Sequence, residues 1–159
     1  MSSNYKPCDK EVPHFITFTI VGWIDVFTRD IYKDVFVDSL QYCIKNKGLI
    51  LHAWVIMTNH VHLIISSDKS SISDLVRDIK KFTSRKIIEC IINNKRESRK
   101  EWMINMFSFS GKVNNNNLYY QFWKQYYHPI ELSNSRRCEI ALNYLHNNPV
   151  KAGLGTLAL

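Results

Sequence analysis

Leu49-Ile-Leu-His-Ala-Trp-Val-Ile-Met-Thr-Asn-His-Val-His-Leu-Ile-Ile-Ser66 is the longest apolar stretch of the chain, and the way it breaks decides the fold. Residues 49–57 read as a strand, Thr58-Asn59 as a short polar break, and residues 60–66 as a second strand. Two strands joined so tightly form a hairpin or one bent strand. Along the second strand, alternation puts His60, His62, Ile64 and Ser66 on one face and sends Val61, Leu63 and Ile65 into the core. His52, Thr58, Asn59, His60 and His62 interrupt the stretch, so it is not apolar for long enough to cross a bilayer.

Upstream, residues 14–21 form another strand, with Ile16, Phe18 and Ile20 on one face and Phe15, Thr17, Thr19 and Val21 on the other. Apolar groups on both faces predict a strand inside a sheet. Asp30 can cap a helix that stops at Gly48, with Phe36, Leu40, Cys43 and Ile44 as its buried stripe. Downstream, Ser71 and Asp74 resemble a capping box that opens a helix with an apolar face of Ile72, Leu75, Val76, Ile79 and Phe82. Residues 93–117 read as a mobile loop carrying one apolar patch at 102–109 and ending in an asparagine run. A short strand at 128–132 and a helix over 135–147, broken by Pro149, complete the order. Residues 1–13 read as an irregular arm. Strand pairs interleaved with helices predict one α+β domain over 1–159, ferredoxin-like, with a mainly antiparallel sheet and helices packed on it.

A net charge of +7 favours polyanionic partners, nucleic acid before membrane. Cys8, Cys43, Cys90 and Cys138 are far apart and form no C-x-x-C pair, which argues against a zinc ribbon and a dense disulfide framework. With no leader-like run at the N-terminus, the expectation is a soluble, cytoplasmic protein with no membrane partner.

His60 and His62, two apart in a strand, point their imidazoles to the same side and can reach one divalent ion. Spacing alone fits two surface histidines better. Tyr144 and Asn148 stand four apart on the last helix and so project from one side. A tyrosine can act as a covalent nucleophile, and an asparagine carbonyl can ligate a hard metal. The pair also reads as a core tyrosine followed by a capping asparagine, and without further context that reading prevails.

The context is a resemblance. His52-Ala-Trp-Val-Ile-Met-Thr-Asn-His-Val-His-Leu-Ile-Ile resembles the signature of the single-tyrosine HUH transposases (IS200-like), nearest to the REP-associated tyrosine transposases. Tyr144-Leu-His-Asn-Asn-Pro-Val-Lys-Ala-Gly resembles that family's nucleophile helix, and Phe122-Trp123-Lys124-Gln125 with His128-Pro-Ile resembles the segment before it. The likeness runs from about His14 to Leu154. It implies that His60 and His62 bind the metal, that Tyr144 is the nucleophile, and that Asn148 completes the metal site. It implies further that the metal is Mg²⁺ or Mn²⁺ and that the substrate is single-stranded DNA near a hairpin. Members work as dimers with shared sites or within one chain, so monomer and homodimer both stay open. Thr58 stands where the family often has proline, a change in the turn. The chain also ends at Leu159, soon after a point from which many relatives continue into a tail, and DNA affinity is expected to differ accordingly.

Lys80, Lys81, Arg85 and Lys86 form a basic strip on one helix, and Arg96, Arg99 and Lys100 extend the charge. Arg136 and Arg137 open the nucleophile helix; all these basic groups are DNA-contact candidates. Trp123 and Tyr127 could stack on bases, although core packing suits Trp123 better. Tyr126 and Tyr127 are rival nucleophiles, but they lack an i+4 ligand partner. Two other functions compete: a catalytically silent DNA-binding relative, and a zinc hydrolase of small molecules. The latter requires a third His, Asp or Glu ligand and has no use for Tyr144.

Overall fold

The computed structural model describes residues 12–114 and 119–152. The elements are β1 (His14–Thr19), α1 (Asp30–Lys47), β2 (Leu49–Ile56), β3 (His60–Ser67), α2 (Ile72–Asn93), α3 (Lys100–Val113), β4 (Ile130–Glu131) and α4 (Ser135–Lys151). The strands form one antiparallel sheet in the order β2-β3-β1-β4. This is the ferredoxin-like α+β arrangement, with β3 and β1 in the middle as their two apolar faces require.

One face of the sheet carries Ile16, Phe18, Val61, Leu63 and Ile65. They pack with Phe36 and Leu40 of α1, Leu75 and Ile79 of α2, and Met103 and Phe107 of α3. The other face carries Phe15 and Ile64, covered by Leu132 and by Ala141 and Leu145 of α4. The main core and the α4 layer thus sandwich the sheet. The histidine-bearing face of β3 belongs to the α4 side.

Local chemistry sets the boundaries. Gly48 closes α1 at φ 73°, where a Cβ would collide with Asp68 and Lys69. Ser71 caps α2, its hydroxyl accepting from the Asp74 amide at 3.1 Å. The hairpin turn is gripped from outside, with the amides of Ile20 and Phe27 donating to the carbonyls of Asn59 and Thr58, both at 2.9 Å. Among the described residues no helix is long and apolar enough to cross a membrane.

Several sequence expectations need correction. The expected loop at 93–117 is largely helical, because Met103, Phe107 and Gly111 recur every four residues and all are buried; residues 115–117, like the arm at 1–11, lie outside the described residues. Arg29, not Asp30, is the N-cap of α1. Ile44 and Phe82 are exposed, and Tyr32 and Thr83 take buried positions in α1 and α2. Thr83 is tolerated there because its hydroxyl donates to the Ile79 carbonyl at 2.7 Å and accepts from the Trp123 indole at 3.0 Å. The strand expected at 128–132 shrinks to two residues. Helix α4 runs through Pro149 to Lys151, since one missing N–H in its last turn does not halt it.

Candidate active site

The site is built where β1, β3 and α4 meet. In the β1–β3 register His62 faces Thr17 and His60 faces Thr19, so both imidazoles leave the sheet on one side. Their ring centres are 4.7 Å apart. Helix α4 crosses above this face, and the Tyr144 ring stands edge-on to His62 with centres 5.4 Å apart. Phe15 completes the cluster, stacked on His62 at 5.2 Å and edge-on to Tyr144 at 5.8 Å. Tyr144 and the histidine pair are therefore brought together within one chain. Asn148 lies one turn further along α4, half-buried.

Hydrogen bonds fix which ring nitrogens are available. The Asn59 side-chain amide donates to the Trp23 carbonyl at 3.4 Å and to the Asp25 carboxylate at 3.3 Å, both pure acceptors. Its oxygen therefore faces His60 Nδ1, 2.7 Å away, and that nitrogen must carry the proton. His62 Nδ1 lies 2.9 Å from the Thr17 hydroxyl. His62 Nε2 is buried and has no partner among the described residues. Buried polar atoms without partners are uncommon and costly. An orphaned Nε2, beside a second histidine whose Nδ1 is already engaged, fits a divalent cation taken through the Nε2 atoms.

Burial pushes the His60 imidazolium below its ordinary range. Burial first, and the neighbouring His60 second, bring His62 down to about 4. Both rings are thus neutral at neutral pH, the form a metal would require. The unfolded chain takes up the corresponding proton near 6.5, whereas folded His62 does so near 4. His62 therefore favours the folded state fully above pH 6.5; this contribution is lost as pH falls through the interval and is constant below about 4. With metal chelated, urea midpoints at about pH 7.5 and about pH 4.5 should differ more for the unaltered protein than for His62→Phe. Equal differences would contradict a buried neutral imidazole.

A cleft of about 450 Å³ opens beside these groups, lined by Thr17, His62, Arg137, Ile140 and Tyr144 among others. Among the described residues Arg137 is the one lysine or arginine lining it, held loosely by the Glu131 carbonyl at 3.4 Å. Arg136 is exposed one residue earlier. A larger groove of about 1290 Å³ lies between α1 and α2 on the far side of the sheet, lined in part by Lys81 and Arg85. Among the described residues no histidine lines it, whereas His62 and Tyr144 line the smaller cleft.

The other expected DNA contacts part company with the site. Lys81, Arg85 and Lys86 sit on α2, across the sheet from the histidines, and Lys86 is paired with Glu89 at 3.2 Å. Lys80 is turned inward: its ammonium donates to the carbonyls of Lys124 and Gln125 at 2.7 and 3.1 Å, and burial lowers it to about 8. Trp123 is 5% exposed among Phe18, Phe27, Phe36 and Phe122, so its ring offers no face to a base. Arg99 is bound to Glu97 instead of extending a basic surface. Tyr127 lies by Lys80 and Tyr126 by His128, and neither makes a ring contact with His60 or His62. Sequence reading passed over Thr17, Asn59 as a partner of His60, and Trp23, whose ring lies 6.4 Å from that of His60. Among the described residues no three His, Cys, Asp or Glu gather into a metal site, and a third such ligand is what the zinc-hydrolase reading needed.

The fold is that of solved transposase structures. A REP-associated tyrosine transposase bound to a REP hairpin aligns with a TM-score of 0.62 at 16% identity, over 91% of this chain and 70% of that one. A candidate transposase from Deinococcus radiodurans R1 aligns with a TM-score of 0.50 at 19% identity, over 86% of this chain and 89% of that one. No curated protein sequence matches the chain significantly. The family described as transposase IS200-like matches residues 14–118, and the chain belongs to that family. The matched span contains His60 and His62 and ends before α4.

Proposed function

We propose that the protein is a metal-dependent endonuclease and strand transferase of single-stranded DNA, acting beside a hairpin, with Tyr144 as nucleophile. The observation that carries this reading is the Tyr144 ring set 5.4 Å from that of His62, itself 4.7 Å from His60, in a chain of the IS200-like transposase family. The Tyr144 oxygen attacks a phosphodiester phosphorus and the bond to the 3′ oxygen breaks. The phenol gives up its proton, and the leaving oxygen ends as a 3′-hydroxyl. The product is a 5′-phosphotyrosine, and attack on it by another 3′-hydroxyl restores the tyrosine and joins the strands.

His60, His62 and Asn148 would hold Mg²⁺ or Mn²⁺, which when bound withdraws negative charge from the phosphate oxygens. Asn59 and Thr17 orient the two imidazoles and keep Nδ1 occupied. Phe15 packs on both His62 and Tyr144 and so holds the nucleophile against the ligand. Arg137 supplies positive charge at the cleft for the strand's phosphates. Such work belongs in the cytoplasm with the DNA.

The test is incubation with Mn²⁺ and a labelled single strand bearing a hairpin and unpaired flanks. A protein–DNA adduct that survives denaturation, together with a fragment ending in a 3′-hydroxyl, is expected. Binding without an adduct across a panel of hairpins drawn from the source genome would leave a catalytically silent DNA-binding relative as the better description.

A further inference from the structure

We infer that Trp23, backed by Lys124, is a stacking platform for an unpaired base of the bound strand, next to the metal-ligand end of the site. The inference rests on the reading of the site as one for single-stranded DNA.

Four observations converge on this residue. Trp23 is 57% exposed, although burying an indole is among the largest apolar gains a side chain can make. Its backbone sits at φ 54°, directly after Gly22 at φ 65°. A bulky residue in the left-handed region is a genuine outlier, and such strain gathers at binding sites. Its ring lies edge-on to His60, with centres 6.4 Å apart, and the Asn59 amide that orients His60 also donates to the Trp23 carbonyl. Finally, the Lys124 ammonium lies over the indole, 4.1 Å from the ring centre.

Each of these has a use if the occupant is a nucleotide. The strained turn holds the indole out of the core, beside His60. Lys124 covers one face of the ring, leaving the remainder for the π-face of a base, and its charge suits the attached phosphate. Rings then run from Trp23 through His60 and His62 to Tyr144, so a strand with its phosphate at the histidines has a neighbouring base within reach of Trp23. Stacking of this kind tolerates any base, and it gives grip on the strand without sequence preference.

The experiment uses the full chain and fluorescein-labelled dT20, followed by anisotropy at fixed low salt. Trp23→Asn removes the ring yet tolerates the left-handed backbone, and Trp23→Tyr keeps a ring. Affinity should fall roughly 5- to 100-fold for Trp23→Asn and stay within a few-fold of the unaltered protein for Trp23→Tyr. Lys124→Ala should lower the slope of log affinity against log salt by about 0.7. The thermal midpoint of Trp23→Asn should not fall, because strain is relieved. The inference is overturned if dT20 does not bind the unaltered protein, or if Trp23→Asn binds it within twofold of normal. It is equally overturned if Trp23→Tyr is as weak as Trp23→Asn, or if stability is lost together with affinity. These outcomes are separable from the chemistry: Tyr144→Phe should bind dT20 normally, so a failure to form adducts leaves the platform standing, while adducts formed equally by Trp23→Asn with unchanged dT20 binding sink the platform alone.

Discussion

Tyr144→Phe is expected to form no covalent DNA adduct, a loss of about 1000-fold or more, while folding and binding single strands like the unaltered protein. The substitution removes one oxygen. The ring that meets Phe15 and His62 remains, so the packing of α4 on the sheet is untouched. Tyr144 is half exposed, and among the described residues its hydroxyl has no hydrogen-bond partner to lose. Stability should therefore change by less than about 0.5 kcal/mol. No other tyrosine of the described residues makes a ring contact with His60 or His62. A labelled strand run on a denaturing gel decides the matter: an adduct persisting in Tyr144→Phe would mean that the nucleophile lies elsewhere.

The second large effect concerns stability, at Glu97. Its buried carboxylate accepts from Arg29 Nε at 2.7 Å, from the Arg99 side chain at 3.0 Å and its amide at 3.2 Å, and from the Tyr32 hydroxyl at 3.1 Å. This node ties the start of α1 to the turn between α2 and α3. Burial works to raise the carboxyl's affinity for protons, but the hydrogen bonds and charge of Arg99, with Tyr32, together outweigh it and hold Glu97 at about 2. Because the ordinary value is 4.5, Glu97 stabilises the fold fully above pH 4.5, and this contribution is lost as pH falls towards 2. The interval corresponds to roughly 3 kcal/mol. Glu97→Ala leaves the buried Tyr32 hydroxyl without its acceptor and opens a void, while the partly exposed arginines can turn to water. The expected loss is about 3–4 kcal/mol, or roughly 10 °C in thermal midpoint for a domain of this size. Glu97→Gln keeps the shape and should still lose most of that, since a neutral amide cannot accept from every donor. A midpoint within about 2 °C of normal for both variants would show that the node contributes little.

The parts legible in the sequence were those whose signal is local. Alternation along residues 60–66 put both histidines on the non-core face, and i, i+4 spacing put Tyr144 and Asn148 on one side of α4. Gly48 and Ser71 marked helix ends by their own backbone and side-chain chemistry. What escaped depended on partners far away in the chain. Glu97 reads as one more charge until Arg29 and Tyr32 arrive from α1. Lys80 looked like part of a basic strip, but its ammonium is claimed by carbonyls more than forty residues downstream. The pattern Met103, Phe107, Gly111 was present, yet the exposed Trp102 just before it and Phe109 within it blurred it into a patch. Thr17 and Trp23 carried no signal at all, because a threonine in a strand and a tryptophan after a glycine are ordinary until β3 brings the histidines beside them.

Among the described residues one phenol stands beside the histidine pair, and that limits what one molecule can hold. Under the proposed chemistry each chain keeps custody of a single severed end at a time, and it is tied up until some hydroxyl terminus reclaims that end. Exchanging two ends at once would take two molecules; one molecule alone must work in successive rounds, with the incoming terminus as the only release.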